Sequence, residues 1–341
     1  MSLNPLPPAP APARTVSVTL FVVGLLIAGG VAVAATAVYY DLRPTTTPGS
    51  LSVTDDLGRP VTVPYDPARV VVLGPSIMDT MFRLGLRSHV VGVDCYTPAF
   101  GGLTADYSPG QVVNWSLSSS MCVQVEPLVT EQLLNLTPDL VLAATIVSVA
   151  AVETISQTYH IPVVMIQPPT LSGIEVDVSL IGEIFGVASA ARSLNNQLTV
   201  VLGNASTVQQ NFTDDYPPVA FPTVLVTYSV DSSGYWTYGP GTFGESLIEL
   251  ASGTSISAGS TFQYPELSGE QVLVSNPQLL VYGSGFGLTE SSYTSAPFWS
   301  ELGAVTNGTV YGVNSDYLTE PDPTMILVGL PILLGIFHPG Y

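Results

Sequence analysis

The sequence predicts an α/β fold with two similar lobes, because one short pattern of residues occurs twice. The first copy runs from Glu131 to Leu142 and the second from Glu270 to Val281, with a constant offset of 139 residues (131 to 270). Each copy begins with an acidic residue at the start of a short helix, which a proline ends. An apolar run typical of a buried parallel strand follows. The second copy also has a capping-box pattern, from Ser268 to Gln271.

The composition indicates a folded, strongly acidic chain. Its 341 residues allow two ordinary domains, with 46 % hydrophobic and 10 % charged residues. The net charge is −19, there is no lysine, and the last arginine is Arg192. Nucleic acids and anionic lipid headgroups bind to basic faces, so this charge argues against both as partners.

The N-terminal region predicts export. Residues 1–15 form a Pro/Ala-rich tail, and residues 16–40 contain no charged side chain and are long enough to cross a bilayer. Two interpretations remain open: an uncleaved transmembrane anchor, or a signal peptide cleaved near Ala35-Thr36-Ala37. Both place the remainder outside the cell. Residues 41–50 form a linker.

Residues 51–170 are predicted to form the N-terminal lobe. A hairpin is expected first, with its turn at Asp55-Asp56-Leu57-Gly58. Strands and helices then alternate, which favours a parallel sheet covered on both faces. The predicted elements are the strand Arg69–Leu73, the helix Ile77–Leu84, the strand Val90–Val93, the first repeat copy, the helix Val149–Tyr159 and the strand Val163–Ile166. Between the strand Val90–Val93 and the first repeat copy, Tyr96–Gln124 is predicted to be a functional loop.

Residues 171–215 are predicted to be helical and to connect the lobes, because apolar residues recur there at helical spacing. Residues 216–341 are predicted to form the C-terminal lobe. Its expected elements are the strand Thr223–Tyr228, a glycine-rich loop at Ser229–Gly244, the helix Ser246–Ala251, the second repeat copy, the strand Val310–Val313 and an apolar helix from Thr324 to Phe337 interrupted by Pro331.

Several short motifs, in order along two lobes, resemble the substrate-binding proteins of ABC importers for cobalamin, ferric siderophores and haem. The resemblance covers about Leu51 to Pro339. The matching motifs are Asp55-Asp56-Leu57-Gly58-Arg59-Pro60-Val61, Arg69-Val70-Val71-Val72-Leu73-Gly74-Pro75-Ser76, Leu84-Gly85-Leu86 with Val90-Val91-Gly92-Val93, Leu136-Thr137-Pro138-Asp139-Leu140-Val141, Thr242-Phe243 with Leu247-Ile248-Glu249-Leu250-Ala251-Ser252-Gly253, and Tyr264-Pro265-Glu266-Leu267-Ser268. The chain departs from the family at Asp79, where a glutamate is common.

The resemblance implies two Rossmann-like lobes joined by a long helix, a ligand in the cleft between them, and a membrane permease with its ATPase as partners. It also implies that one glutamate in each lobe binds permease arginines, and Glu131 and Glu270 match those positions. Charge-assisted pairs of this kind are strong and directional. The alternative is that each glutamate only stabilises its helix N-terminus.

Ligand contacts are expected where the strands end, because α/β crevices open at the carboxyl edge of a sheet. Aromatic side chains suit large, flat, partly apolar ligands, and a glycine-rich loop has little core to fill, so Tyr235, Trp236 and Tyr238 are the preferred candidates. The predicted ligand-binding residues are Ser76, Tyr96, Trp115, Tyr228, Tyr235, Trp236, Tyr238, Ser284, Phe286 and Tyr317; Pro75 and Thr145 are also candidates.

The charge distribution favours a neutral or cationic ligand, such as cobalamin or a hydroxamate siderophore, because the second lobe has no arginine to bind an anionic chelate. His89, His160 and His338 are not spaced as ligands for a bare metal ion. No enzyme motif is found and no cofactor is expected. The alternative function is a membrane-anchored adhesion or structural protein that keeps the fold without transport.

Two further features depend on export. Cys95 and Cys122 either form a disulfide bond or remain as buried thiols. Glycosylation sequons, which are typical of exposed loops in secreted proteins, occur at Asn114, Asn135, Asn204, Asn211 and Asn307.

Overall fold

The first lobe begins with a hairpin and continues with alternating strands and helices. The computed structural model describes residues 49–97, 122–214, 220–231, 234–285, 288–295 and 297–340, all in one compact unit. The elements of the first lobe are β1 (Ser50–Thr54), β2 (Pro60–Pro64), β3 (Val70–Leu73), α1 (Pro75–Arg83), β4 (Val90–Asp94), β5 (Cys122–Val123), α2 (Thr130–Asn135), β6 (Leu140–Ala143), α3 (Val149–Thr158) and β7 (Val163–Met165).

The sheet of the first lobe is parallel, as predicted. Within the described residues it has five strands in the order β5-β4-β3-β6-β7, and β3 lies between β4 and β6. All residues of β3 and β6 are buried, because helices cover both faces of the sheet. Gly74 follows β3, where a Cβ atom would lie 2.7 Å from the Cβ atom of Ala144. Glycine is therefore required where the chain turns from β3 into α1.

Two helices connect the lobes, namely α4 (Leu171–Ile184) and α5 (Ala188–Asp214). The predicted helical region is confirmed, and its long member has 27 residues, a length of about 40 Å. Helix α5 packs against α4 and also against elements of the second lobe. One hydrophobic core therefore extends from Val72 of the first lobe to Val226 and Leu318 of the second.

The second lobe repeats the arrangement of the first with additional short elements. All the elements of the second lobe are β8 (Thr223–Val230), β9 (Tyr235–Thr237), α6 (Phe243–Leu250), β10 (Thr254–Ser255), β11 (Glu266–Leu267), α7 (Gly269–Ser275), β12 (Leu279–Ser284), α8 (Glu290–Thr294), α9 (Gly303–Thr306), β13 (Val310–Asn314), α10 (Asp316–Thr319) and α11 (Leu330–Phe337), within the described part of the chain.

The second sheet is mixed rather than purely parallel. In the described part of the chain its order is β11-β9-β8-β12-β13, with β10 paired to β8. Strands β8, β12 and β13 are parallel, whereas β9 runs antiparallel to β8. The prediction of a loop at Ser229–Gly244 was therefore wrong, because β8 continues to Val230 and the chain returns as β9.

The duplicated pattern forms equivalent elements in the two lobes. Helix α2 precedes β6, which pairs with β3, and helix α7 precedes β12, which pairs with β8. The Ser268 hydroxyl accepts from the Gln271 N–H at 3.3 Å, and the Gln271 side chain accepts from the Ser268 N–H at 2.8 Å, so the predicted capping box is present.

The apolar C-terminal segment packs onto the second lobe, as predicted. A π-helical turn at Met325–Gly329 precedes α11, and Pro331 lies in the first turn of that helix. A proline is tolerated there because the first N–H groups of a helix have no intrahelical acceptor.

Acidic residues attach the N-terminal hairpin to the first lobe. Asp55 forms an ion pair with Arg59, at 2.5 Å between Oδ2 and Nη2, and accepts a hydrogen bond from the N–H of Met165 in β7. Asp56 accepts from the Gln167 N–H and lies beside Asp177 of α4. Asp177 is 4 % exposed, and burial together with the neighbouring Asp56 carboxylate raises its pKa to about 8.

Replacing Asp177 by asparagine is expected to change how stability depends on pH. The pKa of Asp177 is about 8 in the folded protein and near 3.9 when unfolded, so its contribution to stability is fully present below about pH 4. That contribution is lost as the pH rises to about 8. Asp177→Asn should therefore be more stable than the wild type by roughly a few kcal/mol at pH 8, with no gain at pH 4, as measured by urea unfolding.

The matched control is Asp214→Asn, since Asp214 is exposed at the end of α5. Parallel pH curves for the wild type and Asp177→Asn would contradict the assignment of a buried, protonated Asp177.

Candidate ligand-binding site

The carboxyl edges of the two sheets meet at Ser76 and Glu320. Ser76 lies in the first turn of α1, directly after β3, and Glu320 follows α10, which comes directly after β13. The Ser76 N–H donates a hydrogen bond to Glu320 Oε2 at 3.2 Å. This contact joins the two lobes where their strands end, which is where the ligand crevice of an α/β fold is expected, and we call it the cleft floor.

Two further carboxyl groups, those of Asp94 and Asp316, lie near Glu320. Asp94 ends β4 and is fully buried, and it accepts hydrogen bonds from the N–H groups of Tyr96 and Thr97 at 2.8 Å. Asp316 follows β13 and is 6 % exposed. Burial, with the nearby charges of Asp94 and Asp316, raises the pKa of Glu320 to about 8. Glu320 therefore holds a proton at neutral pH and can donate a hydrogen bond.

Several predicted ligand-binding residues lie at or near this edge. Tyr96 follows β4 and is 49 % exposed. Tyr228 and Ser284, toward the ends of β8 and β12, and Tyr317, in α10, are partly buried. Ser76 is buried and contributes its backbone N–H to the contact with Glu320. The predicted residues Trp115 and Phe286 lie outside the described residues.

Tyr228 belongs to a cluster of tyrosines in the second lobe. Its ring lies 4.8 Å from the ring of Tyr238, which lies 6.3 Å from that of Tyr264. Burial and the neighbouring Tyr264 raise the pKa of Tyr228 to about 12, so its hydroxyl remains protonated. The exposed part of this cluster is an aromatic surface with neutral hydroxyl groups.

Tyr235 and Tyr238 are core residues, contrary to the prediction that they are free to bind a ligand. Tyr235 is 5 % exposed, stacks on Trp299 with ring centroids 5.6 Å apart, and donates to the Tyr293 carbonyl at 3.0 Å. Tyr238 is 1 % exposed and donates to the Leu318 carbonyl at 2.6 Å. Tyr235 lies in β9 and belongs to the core that also holds Trp299, whereas Tyr238 follows β9 and belongs to the core that the two lobes share.

Trp236 remains partly buried, between the buried residues Tyr235 and Thr237 of β9. Its indole N–H donates to Asp231 Oδ2 at 3.0 Å, which fixes the indole on β9.

A disulfide bond lies beside the end of β4. Cys95 and Cys122 are joined with their Cα atoms 5.0 Å apart, and β5, which contains Cys122, pairs with β4. Cys95 and Cys122 are 27 positions apart in the sequence, so the bond ties the two ends of this stretch together. Most of that stretch, residues 98–121, lies outside the described residues.

The arginines in the described part of the chain contact groups away from the cleft floor. Arg59 pairs with Asp55, and Arg69 donates to the Leu136 carbonyl at 2.6 Å. Arg83 Nε lies 2.8 Å from Asp79 Oδ2 near the opposite end of α1. The other two are Arg87, which lies over the Phe82 ring, and Arg192, which is exposed on α5. Within the described residues, the strand ends carry carboxyl and phenol groups without a basic side chain.

The histidines are similarly remote from the cleft. His89 and His338 bind backbone carbonyls, and His160 lies just after α3. Among the described residues, no group of three or more histidine, cysteine, aspartate or glutamate side chains is arranged to hold a metal ion.

Glu131 and Glu270 occupy the same position in equivalent helices. Each is the second residue of its helix, and both side chains are exposed. The glutamine that follows each glutamate turns back to the preceding backbone: Gln132 accepts from the Gln124 N–H and Gln271 from the Ser268 N–H, both at 2.8 Å. In an α/β unit a helix runs opposite to the parallel strands it connects, so we expect the two glutamates, at the helix starts, toward the carboxyl edges of the sheets.

Four of the predicted glycosylation sequons fall in the described residues. The side chains of Asn135, Asn204, Asn211 and Asn307 are all exposed. Asn204 and Asn211 lie two turns apart on α5. Asn114 lies outside the described residues, and glycosylation stays a prediction for all five.

The periplasmic binding protein family model matches residues 70–317 of this chain. The chain belongs to the periplasmic binding protein family. It is 29 % identical over 273 residues to a cobalamin-binding protein of Halobacterium salinarum, covering 78 % of this chain and 68 % of that protein. It is 25 % identical over 283 residues to YvrC of Bacillus subtilis, an uncharacterized ABC transporter substrate-binding lipoprotein, covering 81 % and 82 %.

Solved structures share the fold of this periplasmic binding protein. The molybdate periplasmic binding protein MolA of Haemophilus influenzae superposes with a TM-score of 0.67 at 20 % identity, covering 85 % of this chain and 91 % of MolA. The family establishes a substrate-binding protein of the ABC-importer type, whose partners are a permease and an ATPase, and not an enzyme. The alternative of an adhesion protein receives no support from these relatives.

The membrane segment predicted for this periplasmic binding protein lies outside the described residues, at 16–40. Within the part of the chain that the structure describes, no helix is both long and apolar enough to cross a membrane.

Replacing Tyr235 by phenylalanine is expected to lower the free energy of unfolding by about 1–2 kcal/mol, because the Tyr293 carbonyl loses a buried donor. Urea unfolding measures this change. Tyr159→Phe is the matched control, since Tyr159 is 42 % exposed. Equal stability of Tyr235→Phe and the wild type would contradict a stabilising hydrogen bond from Tyr235 to the Tyr293 carbonyl.

Proposed function

We propose that this protein binds cobalamin between its two lobes outside the cytoplasm and delivers it to an ABC permease. A ferric hydroxamate siderophore is the second candidate, because it also lacks a net negative charge.

The main observation that favours a ligand without net negative charge is the acidity of the cleft floor. The floor presents Asp94, Asp316 and Glu320, and the described arginines contact groups elsewhere. An anionic catecholate or citrate chelate would meet carboxyl groups there without a cation to neutralise it. A corrinoid that carries amide groups would instead find acceptors and one protonated carboxyl donor.

The aromatic residues support a large ligand with an apolar face. Tyr96 is exposed just after β4, and in the other lobe Tyr228 near the end of β8 and Tyr317 in α10 are partly exposed. Tyrosine combines a flat apolar ring with a hydroxyl group, so it can cover a macrocycle while satisfying polar groups at its edge.

The relatives favour a corrinoid over other chelates. The Halobacterium salinarum relative is named a cobalamin-binding protein, and a Vibrio cholerae relative with 22 % identity over 264 residues is named a vitamin B12-binding protein. The likeness to the molybdate-binding protein concerns the fold alone. Molybdate is an oxyanion, and the acidic cleft floor described above disfavours such a ligand.

We also infer that Glu131 and Glu270 bind the permease. Their exposure, their equivalent helix positions and their location toward the cleft edges support this role. Two carboxylates held on separate lobes can match two basic sites on one partner surface.

We also propose that the N-terminal segment places the binding lobes outside the cell. Residues 16–40 would either anchor the protein in the cytoplasmic membrane or direct its secretion, and the binding lobes would lie outside the cell in both cases. The exposed sequons at Asn135, Asn204, Asn211 and Asn307 are accessible for glycosylation in that compartment.

Ligand titration of the purified full chain is expected to show saturable binding of cobalamin, measured by calorimetry, and no binding of a ferric catecholate. Tyr96→Ala should weaken cobalamin binding about tenfold through the loss of aromatic contact. Tyr159→Ala is the matched control, because this similarly exposed tyrosine lies after α3, away from the cleft.

Tight binding of the ferric catecholate would refute the charge argument. Binding of ferric hydroxamate without cobalamin would transfer the proposal to the second candidate.

Replacing Glu131 and Glu270 together by alanine is expected to reduce cobalamin uptake by the assembled importer more than tenfold, while cobalamin affinity stays unchanged. Each single variant should have an intermediate effect, because one carboxylate remains to bind the permease. Glu153→Ala with Glu301→Ala is the control pair, with one exposed glutamate in each lobe. Normal uptake by the Glu131/Glu270 double variant would exclude the docking role.

A further inference from the structure

The two equivalent helices α2 and α7 begin in different ways. In α7, the Ser268 hydroxyl accepts from the Gln271 N–H at 3.3 Å, and the Gln271 side chain accepts from the Ser268 N–H at 2.8 Å. The equivalent N-cap position of α2 is Val129, at the same offset of 139 residues (129 to 268), and its side chain cannot form hydrogen bonds. The first copy of the repeat therefore lacks the local cap that the second copy has.

The start of α2 is held instead by the segment that follows β5. Gln132 is the third residue of α2, equivalent to Gln271 of α7, and its side chain accepts from the Gln124 N–H at 2.8 Å. The Gln124 carbonyl in turn accepts from the Val129 N–H at 2.9 Å. Helix α7 makes its glutamine bond to its own N-cap residue, whereas α2 makes the corresponding bond to a residue eight positions away. The start of α2 thus depends on where Gln124 lies.

Strand β5, which immediately precedes Gln124, is attached to the sheet over a short length. It contains only Cys122 and Val123, and among the described residues it pairs with β4 alone, at the edge of the sheet. The side chain of Val123 is buried, and its carbonyl accepts from the Cys95 N–H at 3.1 Å. Two residue pairs of parallel sheet are a weak attachment, so this edge is expected to open more readily than the central strands.

The disulfide bond crosslinks this short strand to β4. Cys122 is the first residue of β5, Cys95 directly follows β4, and their Cα atoms are 5.0 Å apart. A covalent bond at this point limits how far β5 can move from β4 when the hydrogen bonds between them open. Cys95 is exposed and Cys122 is half-buried, so a small thiol can reach the bond.

We propose that the Cys95–Cys122 disulfide is the positioning device for the start of α2, where it takes the place of the capping box that Ser268 provides in α7. The bond holds β5 against β4, and the segment after β5 holds the Gln132 side chain beside Glu131. Its consequence for transport rests on the proposed docking role of Glu131, whereas the positioning itself does not.

The test measures amide hydrogen exchange in the ligand-free full chain, comparing the wild type with a Cys95→Ser/Cys122→Ser double variant. Peptides covering 124–135 should lose protection about tenfold in the variant. Peptides covering 268–275, which contain α7, and peptides from β3 and β6 should keep their protection. Dithiothreitol should cause the same loss in the wild type and none in the double variant, because it gives two electrons and two protons to the bond, leaving two thiols and a cyclic disulfide.

A second substitution restores a local cap. Val129→Ser gives α2 the same Ser-x-x-Gln pattern as α7, because Gln132 already occupies the third helical position. Added to the double variant, it should recover about fivefold protection of 124–135, the usual effect of an N-cap side chain. Added to the wild type, it should have a much smaller effect, since the disulfide already holds this helix start. Val129→Ala is the matched control and should restore nothing, because alanine has no hydroxyl group.

Three results would overturn the proposal. The first is unchanged protection of 124–135 in the double variant. The second is an equal loss in β3 and β6, because the bond would then stabilise the whole lobe rather than the start of α2. The third is an equal gain from Val129→Ser with and without the disulfide. Because neither ligand nor permease is present, these results do not depend on cobalamin binding or on the docking role of Glu131.

Discussion

The hydrophobic core shared by the two lobes is the constraint on which the site depends. Residues of β3 in the first lobe, β8 in the second and the helices α4, α5 and α11 belong to one contiguous buried cluster. Separating the lobes would expose this apolar surface, so the lobes are held in a nearly fixed relation. The carboxyl edges of both sheets consequently face one crevice, which can be shaped in advance for a large ligand.

The shared hydrophobic core fixes the positions of the polar groups in that crevice. Ser76, just after β3, and Glu320, which follows β13 and α10, are joined across the lobes by a hydrogen bond of 3.2 Å. Carboxyl groups at such a boundary remain tolerable when they are hydrogen bonded or neutral. The acidity of the chain as a whole is therefore compatible with a protonated Glu320 at the boundary between the lobes.

The residues toward the outer edges of the cleft act in a different environment. Glu131 and Glu270 begin short helices at the surface, where water screens them and where their neighbours Gln132 and Gln271 stabilise the backbone. A carboxylate that is not required for capping is available to a partner. The duplication thus reproduces both a fold element and a surface group, and the shared core determines how far apart the two copies lie.

Local sequence determined the elements and their order. Apolar runs, prolines and the repeated acidic start predicted β3, β6, β8 and β12, the long helix α5 and the positions of Glu131 and Glu270, since these features depend on neighbours in the chain. Only the tertiary structure revealed that Tyr235 and Tyr238 fill the core, that β9 reverses direction, and that Glu320 meets Ser76 from 244 positions away. Burial and cross-lobe contacts arise from how distant segments pack together, and no local pattern of residues encodes them.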